Sequence, residues 1–92
     1  MIKLVFSWNI KNDEGREYFE FIVQEFAPKI MRMGIRLTEA WYTVYGTGPQ
    51  IIMPGIATDR AALEAAMRSE EWQSLTGRLQ NFVTDYRCRI VA

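Results

Sequence analysis

The chain has 92 residues, enough for one domain spanning residues 1–92 and too few for a second core. Its 11 basic and 11 acidic residues cancel, which removes the usual electrostatic basis for binding nucleic acid or an anionic membrane, and an apolar share of 49% excludes disorder. No apolar stretch is long enough for a membrane span, and the single cysteine, Cys88, allows no internal disulfide and suits a reducing, cytoplasmic location.

Ile2, Leu4, Phe6 and Trp8 alternate with Lys3, Val5, Ser7 and Asn9, the period of a strand over residues 2–10. Asn12, Asp13 and Gly15 end it and offer capping oxygens. From about Glu14 to Met33 the period lengthens, and Phe19, Ile22, Val23, Phe26, Ile30 and Met33 are expected along the inner face of a helix. Pro28 is expected to kink it, because its ring clashes with the carbonyl of Gln24, and Gly34 supplies the stop.

Residues 35–45 read as a long strand rich in Trp, Tyr, Thr and Val, turned by Gly46-Thr47-Gly48-Pro49 into a third strand over residues 50–58. Pro54-Gly55 interrupts that third strand. A proline donates nothing to a ladder, so a bulge is expected there. Asp59 caps a helical region with Leu63, Ala66 and Met67 inward, and Ser69 caps a second one with Trp72, Leu75, Leu79, Phe82 and Val83 inward. A final strand covers about 85–91.

The order strand, helix, strand, strand, helix, strand gives an α+β, ferredoxin-like βαββαβ fold, with a four-stranded antiparallel sheet and the helices on one face. The other face should then be polar. Instead Val5 lies opposite the apolar side of the first strand, and the second strand carries Trp41 and Tyr45 on one side and Tyr42 and Val44 on the other. Both faces call for cover, which points to a homodimer with sheet packed on sheet.

The element order, the strand end Ser7-Trp8-Asn9-Ile10 and the helix start Ser69-Glu70-Glu71-Trp72 resemble the dimeric α/β-barrel superfamily. That superfamily includes cofactor-independent antibiotic-biosynthesis monooxygenases and haem-degrading monooxygenases. The resemblance implies two sheets closing into a barrel, with a pocket inside it or between sheet and helices. The haem-degrading branch would match Asn9 and Trp72 but also needs a histidine ligand, and this chain has no histidine.

Glu39 shares its side of the second strand with Trp41 and Tyr45. Buried there, it could serve as a general base, with Tyr45 as a second catalytic candidate; the structural alternative is an ion pair to an arginine. Lys3, Arg87 and Arg89 have like parity on neighbouring strands and could hold an anionic substrate, or form ion pairs between subunits. Trp8, Asn9, Trp41, Tyr42 and Trp72 complete the ligand-binding candidates with Arg87 and Arg89, although packing alone accounts for aromatic residues. Cys88 has no histidine to activate it and reads as an inert thiol. Glu70-Glu71 diverge on a helix, so no metal site is expected, and no cofactor motif is present.

The sequence therefore predicts a small homodimer that binds an apolar or aromatic organic molecule, and the resemblance implies cofactor-independent monooxygenation or isomerisation as the reaction class if that molecule is turned over. The alternative is a non-catalytic ligand-binding or assembly domain.

Overall fold

The computed structural model describes residues 1–11, 15–38, 41–42 and 49–91, with the backbone alone for 41–42. The strands are β1 (Ile2–Ile10), β2 (Ile35–Leu37), β3 (Trp41–Tyr42), β4 (Ile51–Ala57) and β5 (Val83–Val91). The helices are α1 (Gly15–Phe21), α2 (Ala27–Arg32), α3 (Arg60–Arg68) and α4 (Glu70–Leu79), with a π-helical segment, Ile22–Phe26, joining α1 to α2. The strands lie in the order β2-β4-β1-β5, all antiparallel, and β3 pairs with β4 along the edge where β2 lies. This is the ferredoxin-like sheet that the element order predicts.

Both helical units pack on one side of β1. Its even-numbered residues Leu4, Phe6 and Trp8 are fully buried. Phe6 meets Phe26 from the first helical rod at 5.5 Å between ring centroids and Trp72 from α4 at 5.8 Å. Ile30, Ile35, Leu63, Leu75 and Leu79 fill the space around these rings. Side-chain caps set the helix starts: Asp59 accepts from the Ala61 N–H, and Ser69 accepts from the Trp72 N–H.

The first helical rod differs from its predicted inner face. Tyr18, Phe21, Ile22, Phe26 and Ile30 are buried, whereas Phe19 and Val23 are 62% and 66% exposed. The reason is the π segment, where the Ala27 N–H reaches back five residues to the Ile22 carbonyl. That wide turn absorbs the extra residue, so the four-residue spacing 18, 22, 26, 30 holds one face instead of drifting around the axis. It also places Pro28 at the first turn of α2, where a missing N–H is tolerated. A π turn thus replaces the expected clash-driven kink. Gly34, at φ +91°, ends the rod as expected.

The bulge expected at Pro54 is absent. The β1–β4 register runs unbroken from Ile2↔Ala57 through Val5↔Pro54 to Trp8↔Ile51, although β4 is a central strand. The Pro54 carbonyl accepts from the Thr38 N–H, so the proline's nitrogen also faces the β2 side. There the ladder pairs end at Leu37↔Gly55, so β1 loses no bond to the proline. Gly55 answers a packing need, because a Cβ there would sit 2.9 Å from Ile35 Cγ2. The irregularity lies instead between β1 and β5, at Ser7/Asn9, where Asp85 takes φ +55°. Of the long second strand predicted over residues 35–45, Ile35–Leu37 and Trp41–Tyr42 are strands, and the turn at 46–48 lies outside the described residues.

Candidate functional site

Residues paired across an antiparallel ladder share a face, so the registers lay out the side of the sheet away from the helices row by row. One row is Arg36, Ile56, Lys3 and Val91; the next is Pro54, Val5 and Arg89; the third is Ile52, Ser7 and Arg87. Trp41 pairs with Ile52 at the end of the third row, and Tyr42 pairs with Ile51 of the opposite parity. Val5, Ser7, Ile52, Pro54 and Ile56 are half-buried by their neighbours alone, and Val91 is exposed. Strands stand about 4.8 Å apart and same-face residues on one strand about 7 Å apart. Lys3, Arg87 and Arg89 therefore surround Val5 and Ser7 on one side, with Arg36 across Ile56.

All four of these cations are exposed, and none belongs to an ion pair among the described residues. The ion pairs lie on the helices: Arg16–Glu20, Lys29–Glu25, Arg60 and Arg68 with Glu64, and Arg78–Glu25. Glu25 is held below the ordinary carboxylate range, chiefly by its hydrogen bond from Arg78.

Asn9, at the end of β1, is committed to the frame. Its Nδ2 donates to Asp85 Oδ2 at 3.0 Å, and its Oδ1 accepts from the Gln50 N–H at 2.8 Å. Gln50 Oε1 in turn accepts from the Ile10 N–H at 2.7 Å. One side chain thus ties β1 to the start of β4 and to the irregular corner of β5. It does so beside the row that carries Ser7 and Arg87.

The helix-facing side is apolar and closed by contrast. Trp8 is fully buried and donates its indole N–H to the Tyr18 hydroxyl at 2.9 Å, and Tyr86 stacks on its ring at 6.3 Å, 18° from parallel. Trp72 is 5% exposed and lies against Phe6. Burial raises the pKa of Tyr18, partly offset by the Trp8 hydrogen bond, and raises that of Tyr86 strongly. It also pushes the Cys88 thiol up to about 11, so this group is a poor nucleophile at neutral pH. An open hollow of about 250 Å³ lies on the helix side, lined by Phe21, Phe82, Gln24 and the Glu25–Arg78 pair. It is distinct from the sheet face.

The structure thus divides the sequence candidates. Arg87 and Arg89 come together with Lys3 on the open face, as their parity predicts. Trp8 and Trp72 belong to the core on the opposite side, and Asn9 braces the strand ends. Glu39 and Tyr45 lie outside the described residues, and Trp41 and Tyr42 are placed by backbone register only. Arg36 was missed as a member of the open face. Its position between Ile35 and Leu37, both turned toward the core, is the alternation signal that identifies it. Tyr18 was missed as the partner of Trp8. No cluster of three or more His, Cys, Asp or Glu residues is placed to hold a metal ion among the described residues. None of their helices is long and apolar enough to cross a membrane.

No family model and no curated protein matches the chain. Solved structures do. A NIPSNAP family protein from Agrobacterium tumefaciens is 24% identical, with 99% of this chain and 90% of that one covered and a TM-score of 0.68. An ethyl tert-butyl ether D family protein from Bacillus halodurans is 15% identical, with coverage of 100% and 98% and a TM-score of 0.72. A protein described as an antibiotic biosynthesis monooxygenase is 17% identical, with coverage of 100% and 97% and a TM-score of 0.68. These likenesses establish the shared ferredoxin-like α/β fold.

Proposed function

We propose that this chain is a single-domain cytoplasmic protein that pairs open face to open face with a second copy, forming an α/β barrel whose interior binds a small apolar or aromatic organic molecule. The observation that carries this reading is the strip Val5, Ile52, Pro54 and Ile56, aliphatic side chains on the sheet face opposite the one on which the described helices pack. Completing the burial of these half-buried residues contributes roughly 1 kcal/mol each, so about 8 kcal/mol over two copies. Association costs on the order of 4–15 kcal/mol, so the strip is matched to a dimer whose stability depends on what else the interior holds.

Neighbours of the same fold named as monooxygenases support oxygenation as the first reaction to assay, without added cofactor, with isomerisation as the second. In this reading Glu39 and Tyr45 supply the acid and base, and Trp41, paired with Ile52 of the open-face row, adjoins the ligand from the β3 edge, whereas Tyr42 pairs with Ile51 of the opposite parity and is left out. The test is light scattering of the wild type and of Val5→Asp. The wild type should be a dimer at micromolar concentration. The variant should be a monomer, because an unpaired carboxylate in an apolar interface costs several kcal/mol. A monomeric wild type refutes the barrel.

A further inference from the structure

The charge on the open face adds a second requirement. Lys3, Arg87 and Arg89 ring Val5 and Ser7, and Arg36 stands across Ile56. None has a carboxylate partner among the described residues, and Asp85, two residues before Arg87 on β5, accepts a hydrogen bond from Asn9. Closing two copies of this face would bring six cations of the Lys3, Arg87 and Arg89 type into one water-poor interior. Like charges desolvated together disfavour that state unless anions enter with them.

On the proposed reading of the face as a ligand site, we infer that its ligand is an organic anion: a flat or branched apolar body bearing a carboxylate. The apolar body lies on Val5, Pro54 and Ile52, and the carboxylate is held by Arg87 and Arg89 with Lys3 beside them. Arginine suits this position because its planar fork meets a carboxylate through two parallel hydrogen bonds. The two arginines on adjacent same-face positions of β5 make an edge that a carboxylate engages more strongly than a neutral carbonyl does. Ligand and second copy then support each other: the anion offsets the cations, and the partner sheet excludes water from the anion.

The experiment uses the full chain and two probes of matched shape, 2-naphthoate and 2-naphthamide, titrated calorimetrically. The carboxylate should bind roughly tenfold or more tightly than the amide, and Arg87→Gln/Arg89→Gln should abolish the preference. Without either probe, the same double variant should dimerise more tightly than the wild type, and added salt should tighten the wild-type dimer. Equal binding of the two probes overturns the anion inference and leaves the ligand site standing. Binding of neither overturns both. If the wild type shows no carboxylate preference and Glu39→Gln dissociates the dimer, the cations are paired by Glu39 across the interface and the inference fails. It fails equally if the protein ignores 2-naphthoate but co-sediments with phosphatidylglycerol vesicles, which would assign the cations to a lipid surface.

Discussion

Tyr18→Phe isolates a buried side-chain-to-side-chain hydrogen bond beneath the sheet. Trp8 is fully buried, and its indole N–H donates to the Tyr18 hydroxyl at 2.9 Å, while Tyr18 itself is 2% exposed. Removing the hydroxyl leaves the ring contacts of Tyr18 with Trp8 in place and strips the N–H of its acceptor. A buried donor left unmade costs about 1–3 kcal/mol. For a domain of this length each kcal/mol moves Tm by about 4–8 °C, so the variant should melt roughly 5–20 °C below the wild type by circular dichroism. Oligomeric state and binding of 2-naphthoate at 20 °C should be unchanged, since Trp8 faces the helices. A Tm within about 2 °C of the wild type would mean that the N–H reaches water or a ligand, and that the helix-facing side is not closed. A loss of ligand affinity at unchanged Tm would return Trp8 to the binding site and refute the division of the sheet into a structural and a ligand-bearing side.

Gly55→Ala should cost about 1–3 kcal/mol in urea unfolding, because its Cβ would sit 2.9 Å from Ile35 Cγ2 and 3.4 Å from Leu37 Cδ2. Combining it with Ile35→Ala should give a cost below the sum of the two single variants, and strict additivity would refute the contact. Phe19→Glu should change stability by no more than about 0.5 kcal/mol, whereas Phe26→Ala should cost about 3–5 kcal/mol; the reverse order would contradict the placement of the π turn. Cys88, raised from 9.0 to about 11, should react with iodoacetamide at pH 8 about 100-fold more slowly in the native protein than in urea. The fold favours the protonated thiol, so the stability it contributes is intact below pH 9.0 and falls as pH rises from there through about 11. Alkaline melts that show no decline across that window would refute it.

Features that depend on local alternation were legible in the sequence. From Lys3 to Ser7 on β1 and from Arg87 to Val91 on β5 the odd-numbered residues share a face, and parity alone placed Lys3, Arg87 and Arg89 together. The caps at Asp59 and Ser69 were legible for the same reason, since an N-cap bond closes within three residues. Phe19 and Val23 were misplaced because a single π turn changes the phase of a helix without altering any residue that periodicity counts. Pro54 was misread because the cost of its missing N–H depends on which neighbour it faces. That is decided by where β2 stops pairing, a tertiary fact. Asn9 looked like a ligand contact or a turn residue, and its partners Gln50 and Asp85 lie 41 and 76 positions away in the chain. No spacing rule connects them.

Zero net charge argued against extended polyanions, and that exclusion says nothing about small anions, because it averages over a segregated surface. The described acids sit mainly on the helices, where Glu20, Glu25 and Glu64 satisfy nearby arginines and lysines at i,i+4 spacing. Among the described residues, the cations of the sheet receive none of that compensation. An exposed edge strand often carries lysine or arginine merely to discourage pairing. That explanation fits β5, whose outer edge is unpaired, but not Lys3 on β1, which is hydrogen-bonded on both sides by β4 and β5. A cation on a central strand, flanked by Ile56 and Val91 and facing away from the helices, gives no protection against edge-to-edge association. Its position makes sense where the sheet face itself meets something negatively charged. Lys3→Met therefore separates the two accounts: edge protection predicts unchanged carboxylate affinity, and a binding face predicts a several-fold loss with the dimer intact.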